Sequence, residues 1–111
     1  MTASSPAYLI ASSFMPEGHG SLDDYAKAAH PLFDELGVEV IAMGNVGAFG
    51  RADQVVHHLE GEWPQDASLT LFRFPSLDAL LKFWSSDEYQ SIKHLRTDAI
   101  KPNFTIAIDG A

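Results

Sequence analysis

The chain lacks cysteine entirely and has few basic residues. Among its 111 residues there is no Cys, which excludes disulfide bonds, thiolate nucleophiles and metal centres bound by cysteine. Lys and Arg number 7 against 15 Asp and Glu, so the formal net charge is −8. Such a surface repels phosphate backbones and anionic lipid headgroups. We therefore expect neither a nucleic-acid nor a membrane partner, and small organic ligands are the favoured class.

Long apolar runs and cofactor motifs are also missing. The opening stretch MTASSPAYLIASSF has no basic segment, and its apolar part is too short and too interrupted by serine for a signal peptide or a membrane span. A cytoplasmic location is the expectation. The glycines of GNVGAFGR have the wrong spacing for a phosphate-binding loop, and neither a nucleophile elbow nor an HExxH pair occurs. We therefore expect the protein to work without a cofactor.

What is present is the patterning of one small domain, spanning residues 1–111. Helical spacing predicts a helix from Ser21 to Leu36, with an interruption near His30 caused by Pro31, and two helical patterns from Ser76 to Pro102, the second starting from a capping box at Ser85. Alternating or apolar runs predict strands at 7–15, 38–43, 55–63, 68–74 and 103–108, the third of these a strand that could be a bent continuation of the second.

The order strand, helix, strand, strand, helix, strand is that of the ferredoxin-like split βαβ plan. It predicts an α+β fold with a four-stranded antiparallel sheet and both helices on one face. In so short a chain no further element is left to cover the other face. We therefore expect a homodimer that pairs two sheets through this open face into an α+β barrel.

One set of short motifs resembles a known family. This set of motifs consists of the segment EGEW at 60–63, then FPS at 74–76, an apolar helix ending at Trp84, a serine–x–glutamate–tyrosine helix start at 86–89, and Arg96. From the second strand onward the chain resembles the bacterial proteins grouped as domain of unknown function 1330. The resemblance implies a dimeric α+β barrel related to ferredoxin-like proteins. It implies no particular activity, because relatives in the wider superfamily range from oxygenases to isomerases.

The polar cluster VVHHLEGEW holds the first catalytic candidates. On a strand, His58, Glu60 and Glu62 would share one face, but same-face neighbours lie about 7 Å apart, too far to bind one ion without a bulge. We therefore predict no metal site. Glu60 is the first candidate for proton transfer, with His58 beside it, because a carboxylate or imidazole at the rim of a pocket can have its pKa shifted toward neutrality. The alternative is that Glu60 caps a loop amide or pairs with Arg96.

Further candidates are distributed along the chain. Trp63 and Trp84 could form aromatic walls of a pocket, or simply core or dimer interface. Tyr89 and Arg96 lie on one stripe of the last predicted helix, where they could bind an anionic substrate; the alternative is a half-buried tyrosine and a structural ion pair. His30, beside Pro31, and Arg51, in the glycine-rich loop, are further substrate-binding candidates that could equally be surface residues.

Three functions remain open from the sequence. The first is a cofactor-independent enzyme performing acid–base or oxygen chemistry on a small aromatic or carbonyl metabolite. In it Glu60 or His58 moves protons, and Arg96 orients an anionic group. The second is a non-catalytic module that binds a ligand or stabilises a partner with the same pocket. The third is a protein whose sheet serves dimerisation alone.

Overall fold

The computed structural model describes residues 5–14, 22–45, 54–64 and 67–110. Its strands and helices follow the order β1 (Ala7–Phe14), α1 (Asp23–Leu36), β2 (Glu39–Gly44), β3 (Leu69–Phe74), α2 (Leu77–Ser85), α3 (Asp87–Ile92), α4 (His94–Thr97) and β4 (Lys101–Asp109). The four strands form one sheet in the order β2-β3-β1-β4, with antiparallel pairing throughout. This is the predicted ferredoxin-like α+β arrangement, and the sheet is not closed.

Local capping signals explain where the helices begin. The Ser76 hydroxyl accepts a hydrogen bond from the Ala79 N–H at 3.1 Å and starts α2, as predicted. The start of α3 differs by one residue from the prediction. Ser86, not Ser85, accepts from the Tyr89 N–H at 3.2 Å, because Ser85 still belongs to α2 and donates to the Leu81 carbonyl.

The last predicted helix is shorter than expected. It is divided into α3 and α4 at Lys93 and ends at Thr97, and β4 begins at Lys101 with Pro102 inside it. Proline is tolerated there because β4 is an edge strand whose pairing with β1 is irregular near Ser13.

Helix α1 continues through its internal proline. The interruption expected near His30 does not occur, and the helix extends to Gly37, whose φ of +70° gives the predicted left-handed end. Ala29 and Phe33 are both buried on either side of Pro31. Packing of this face therefore outweighs the lost backbone hydrogen bond.

The segment predicted as a strand at 55–63 is not one. Residues 54–64 have no regular secondary structure and are held at the end of β2 by three hydrogen bonds. Asn45 N–H donates to the Gln54 carbonyl at 2.8 Å, Met43 N–H donates to Gln54 Oε1 at 2.9 Å, and Val56 N–H donates to Asn45 Oδ1 at 3.2 Å. Gly44 permits this close approach, since a Cβ there would lie 2.6 Å from Val56 Cγ2.

The core lies between the helices and one face of the sheet. Phe33 of α1 packs on Phe72 of β3 and on Phe83 of α2, with ring centroids 5.1 and 5.5 Å apart, and Phe74 lies 5.3 Å from Phe83. Aromatic contacts of this kind stabilise the fold by more than the burial of their apolar surface alone would. Among the described residues, no helix combines the length and apolar character needed to cross a bilayer.

The opposite face of the sheet, here called the outer face, is only partly covered. Ile106 and Ile108 of β4 expose 51% and 54% of their surface, and their partners in register on β1 are Ile10 and Tyr8. The predicted homodimer would bury this face, and it stays a prediction.

Candidate functional site

A cavity of about 50 Å³ lies between the helices and the inner face of the sheet. We call it the inner cavity. Its walls are largely apolar and include Leu9, Leu22, Met43, Phe72 and Ile100. Its polar side chains come from three helices and from the sheet with the residue before β3, and they include Tyr25, Tyr89, Arg96, Ser13, Ser68, Thr70 and Thr105. None of the described residues that line it is acidic.

Two tyrosines from different helices meet at this cavity. The hydroxyls of Tyr25 (α1) and Tyr89 (α3) are hydrogen-bonded at 3.1 Å, and the rings are nearly perpendicular. Both side chains are buried. The Ser86 cap at the start of α3 places Tyr89 facing the core rather than solvent.

The Tyr25 phenol is held in its neutral form. Burial raises its pKa above the usual value of 10.0, and the neighbouring Tyr89 raises it further, while the charge of Arg96 and a hydrogen bond from the Arg96 side chain oppose the rise. At neutral pH Tyr25 is therefore a hydrogen-bond donor and acceptor, and it is not a base.

Arg96 of α4 brings the positive charge to the cavity. Its guanidinium carbon lies 5.9 Å from the centre of the Tyr25 ring, a cation–π distance. Its Nη1 is buried and has no hydrogen-bond partner among the described residues. The ion pairs found in the described ranges involve other side chains, so the glutamate partner considered for Arg96 is not seen there. A buried donor without a partner costs about 1–3 kcal/mol.

Two of the hydroxyls at the cavity are hydrogen-bonded to the backbone. Ser68 Oγ accepts from the Ser13 N–H at 3.1 Å and donates to the Ser13 carbonyl at 3.2 Å. Thr70 Oγ1 donates to the Ala11 carbonyl at 3.3 Å. These two hydroxyls join β1 to the start of β3 and to the residue before it, and their hydrogens are not available to a ligand.

Trp84 forms part of the cavity wall. Its ring packs 5.2 Å from that of Tyr89, and Lys93 Nζ lies 5.6 Å from the Trp84 ring centre. Gln90 Nε2 donates to the Trp84 carbonyl, which fixes the turn between α2 and α3. The predicted residues Trp84, Tyr89 and Arg96 thus line one cavity. Their role in substrate binding stays a prediction.

The first catalytic candidates lie elsewhere. His58, Glu60 and Trp63 line a shallow surface groove together with Leu69, and this groove shares no lining residue with the inner cavity. Glu60 is exposed, and the His58 Nε2 contacts the Gly61 carbonyl across a turn in which Gly61 has a φ of +80°. Because residues 54–64 do not form a strand, the expectation that His58, Glu60 and Glu62 share one strand face does not apply.

The remaining candidates are peripheral or outside the described residues. The indole Nε1 of Trp63 is buried without a partner among the described residues, away from Arg96. His30 is exposed on α1, with its Nδ1 3.2 Å from Asp34 Oδ2. Arg51 lies outside the described residues. Within the described ranges, no group of three His, Asp or Glu side chains is placed to bind a metal ion.

Sequence reasoning did not single out Tyr25, Ser13 or Ser68. Tyr25 follows the apolar spacing of α1 and looks like an ordinary core residue. Its partner Tyr89 lies 64 positions away in the sequence, so only the packing of α1 against α3 brings the two phenols together.

Comparisons with known proteins agree with the fold. The crystal structure of methylated RPA0582 protein is 18% identical, with a TM-score of 0.59 over 97% of this chain and 82% of that one. The structure of the RPA0582 protein of unknown function from Rhodopseudomonas palustris is also 18% identical, with a TM-score of 0.58 over 96% and 83%. At this identity the likeness shows the fold alone.

The family assignment rests on a match along almost the whole chain. A comparison with curated proteins gave no match. The model of the family described as domain of unknown function (DUF1330) matches residues 6–110. This span includes every strand and helix described above, together with the EGEW and FPS segments. The chain therefore belongs to the DUF1330 family.

Proposed function

We propose that the protein binds a small molecule in the inner cavity and that Arg96 contacts the polar end of this molecule. The observation that supports the proposal is the buried Nη1 of Arg96, which lacks a partner among the described residues although the residue lines a cavity. Binding pockets combine apolar walls with a few polar groups of this kind. A ligand would supply the missing acceptor.

A variant that fills the cavity tests this proposal. Thr105 of β4 lines the inner cavity and is partly buried. Replacing Thr105 by Phe puts a ring in the space, while Thr105→Val keeps the shape and serves as the control. Thermal shifts across a metabolite library should include compounds that stabilise the wild type and Thr105→Val but not Thr105→Phe. Equal responses in all three proteins would place binding elsewhere, and no response at all would refute the proposal.

Catalysis is the second candidate, and the neutral Tyr25 phenol is the observation that favours it. A phenol that stays protonated can donate to a carbonyl oxygen as negative charge develops on it, which is how buried donors stabilise oxyanions. Such a reaction also needs a base. Glu60 and His58 remain the proposed proton-transfer groups, although they line the separate surface groove.

Turnover measurements separate catalysis from binding. With any compound that reaches the surface groove and is consumed there, Glu60→Gln should abolish consumption while leaving the melting temperature near wild type, because the Glu60 side chain is exposed. Tyr25→Phe should lower kcat more than it changes KM. A compound that binds without being consumed favours the non-catalytic module. Unchanged turnover in Glu60→Gln removes this residue from the mechanism.

We further propose that the protein forms a homodimer through the outer face. The half-exposed Ile106 and Ile108 beside Ile10 and Tyr8 support this, since apolar side chains gathered on one open sheet favour association. Light scattering coupled to size exclusion should give a dimer for wild type and a monomer for Ile106→Lys. Leu36→Lys is the control, because Leu36 is 36% exposed but lies at the end of helix α1 and lines a different groove from Ile106. A monomeric wild type would refute the dimer.

A further inference from the structure

The described side chains that line the inner cavity include one positive charge and no negative charge, and this imbalance indicates which class of ligand would be complementary. Arg96 carries a permanent positive charge, because a guanidinium does not lose its proton in proteins. Although the chain has a net charge of −8, none of the described residues lining the cavity is acidic. Tyr25 stays neutral, so it does not supply the counter-charge either. One negative charge is what the described site lacks.

The hydrogen-bond inventory leads to the same conclusion. Arg96 Nη1 has donors without an acceptor among the described residues. In the Tyr25–Tyr89 pair one phenol donates to the other, which leaves the hydrogen of the accepting phenol available. The Ser68 and Thr70 hydroxyl hydrogens are taken by backbone carbonyls. A complementary ligand must therefore accept hydrogen bonds, and an amine or ammonium group would bring more donors to a site already rich in them.

The apolar walls and the size of the cavity limit the rest of the ligand. Leu9, Met43 and Phe72 favour a hydrocarbon portion over a second polar group. A cavity of about 50 Å³ exceeds the roughly 10–15 Å³ that a single water needs, so it has room for a small ligand. A phosphate fits less well, because it has no apolar portion to place on these walls and at neutral pH carries more than the single charge that Arg96 balances.

We propose that the inner cavity binds a short-chain monocarboxylate, with the carboxylate on Arg96 and one phenol of the Tyr25–Tyr89 pair and the hydrocarbon part on the apolar wall. This inference rests on the proposed binding function and specifies its ligand class. A carboxylate offers two acceptor oxygens to a guanidinium and a phenol at once, which an amide of the same shape does not. The small volume of the cavity favours short-chain acids over larger ones.

Arginine side-chain NMR provides a direct test. The chain has three arginines, at positions 51, 73 and 96, so the Nε–H spectrum is simple to assign with the Arg96→Met variant. Acetate, propanoate, butanoate, benzoate, butanamide and inorganic phosphate are titrated at equal ionic strength. We expect butanoate to shift the Arg96 Nε–H signal saturably, with a Kd on the order of 1 mM for a ligand of this size. Butanamide should bind at least tenfold more weakly.

The outcomes distinguish this inference from the proposed function. Arg96→Met and Thr105→Phe should both lose the butanoate response, read from backbone amides near the cavity. If butanamide or phosphate binds as tightly as butanoate, the monocarboxylate assignment is overturned. If benzoate binds more tightly than butanoate, the short-chain assignment is overturned. If a neutral probe binds and this binding is lost only in Thr105→Phe, the cavity is a binding site but the carboxylate inference is wrong. The comparison of butanoate with butanamide uses wild type alone and does not depend on how the variants fold.

Discussion

Replacing Arg96 by Met should leave the protein at least as stable as wild type, which is the reverse of the usual effect of substituting a partly buried residue. Methionine replaces the apolar stem of the side chain and removes the guanidinium. The buried Nη1 has no partner among the described residues, so its removal relieves a penalty of about 1–3 kcal/mol. Loss of the cation–π contact with the Tyr25 ring costs about 0.5–1 kcal/mol.

The balance predicts a gain of about 1 kcal/mol in the free energy of unfolding. Urea denaturation at neutral pH, in buffer without carboxylates, measures this difference, and the slope against urea should not change. Arg73→Met is the control. Arg73 forms an exposed ion pair with Glu39 at 3.0 Å, and breaking such a pair should lower stability by at most about 1 kcal/mol.

Ligand should reverse the order of the two proteins. At ten times the Kd of butanoate, wild type gains about 1.4 kcal/mol by mass action, and Arg96→Met gains nothing. A fall of about 3 kcal/mol or more in the unfolding free energy of Arg96→Met without ligand would refute the reasoning. Such a loss would show that the guanidinium is paired in the folded protein and stabilises it.

Three further results are expected. Tyr89→Phe should lower the unfolding free energy by about 1–2 kcal/mol, because it leaves the buried Tyr25 hydroxyl without its Tyr89 partner. In a double-mutant cycle with Tyr25→Phe the two losses should not add, and additive losses would show that the hydroxyls do not interact. The raised pKa of Tyr25 means that the folded state holds this proton more tightly than the unfolded state, so the stability that the protonated phenol contributes is complete below pH 10 and falls as the pH rises above 10. Urea titrations at pH 8 to 11 should show a smaller loss of unfolding free energy in Tyr25→Phe than in wild type, and parallel curves would contradict this. Gly44→Ala should lower the unfolding free energy by about 1–3 kcal/mol in the same assay, because the new Cβ would lie 2.6 Å from Val56 Cγ2 and 3.1 Å from the Val56 nitrogen. An unchanged midpoint of urea denaturation would mean that residues 54–56 shift freely.

The topology could be predicted because its signals are local. Ser76 precedes an apolar helical stripe, Gly37 follows one, and the strand at 68–74 alternates in residue type. Each of these features acts within a few residues and needs no knowledge of the rest of the chain. The order of the elements then allows few arrangements, and the observed sheet order β2-β3-β1-β4 is the one the ferredoxin-like plan requires.

The segment at 55–63 shows where local reasoning fails. Its β-branched and aromatic residues favour a strand, but its backbone groups are partly satisfied by the end of β2. The Asn45 side chain accepts from Val56, and Gly44 leaves room for the chain to pass. These contacts depend on tertiary packing, which outweighs strand propensity.

The site could be predicted only in part for a related reason. Trp84, Tyr89 and Arg96 come from neighbouring turns of the same region, so helical spacing groups them. The packing of α1 against α3 adds Tyr25, and nothing in the sequence near Tyr25 indicates that its hydroxyl meets another. An ion pair between Glu60 and Arg96 was one alternative considered from the sequence, but Glu60 lines the surface groove and Arg96 lines the inner cavity.

The buried Nη1 of Arg96 is a feature that the folding of the described residues does not explain. The neighbouring Tyr25 and Tyr89 are hydrogen-bonded to each other, and the hydroxyls of Ser68 and Thr70 are hydrogen-bonded to the backbone. An apolar residue would fill the position of Arg96 without the penalty of an unpaired buried donor, and a domain with roughly 5–15 kcal/mol of total stability loses a substantial fraction to such a penalty. A stability cost that the described fold does not offset is typical of a functional position. The cost is offset if an anion occupies the cavity, because the same guanidinium then forms charge-assisted hydrogen bonds in a partly dry site.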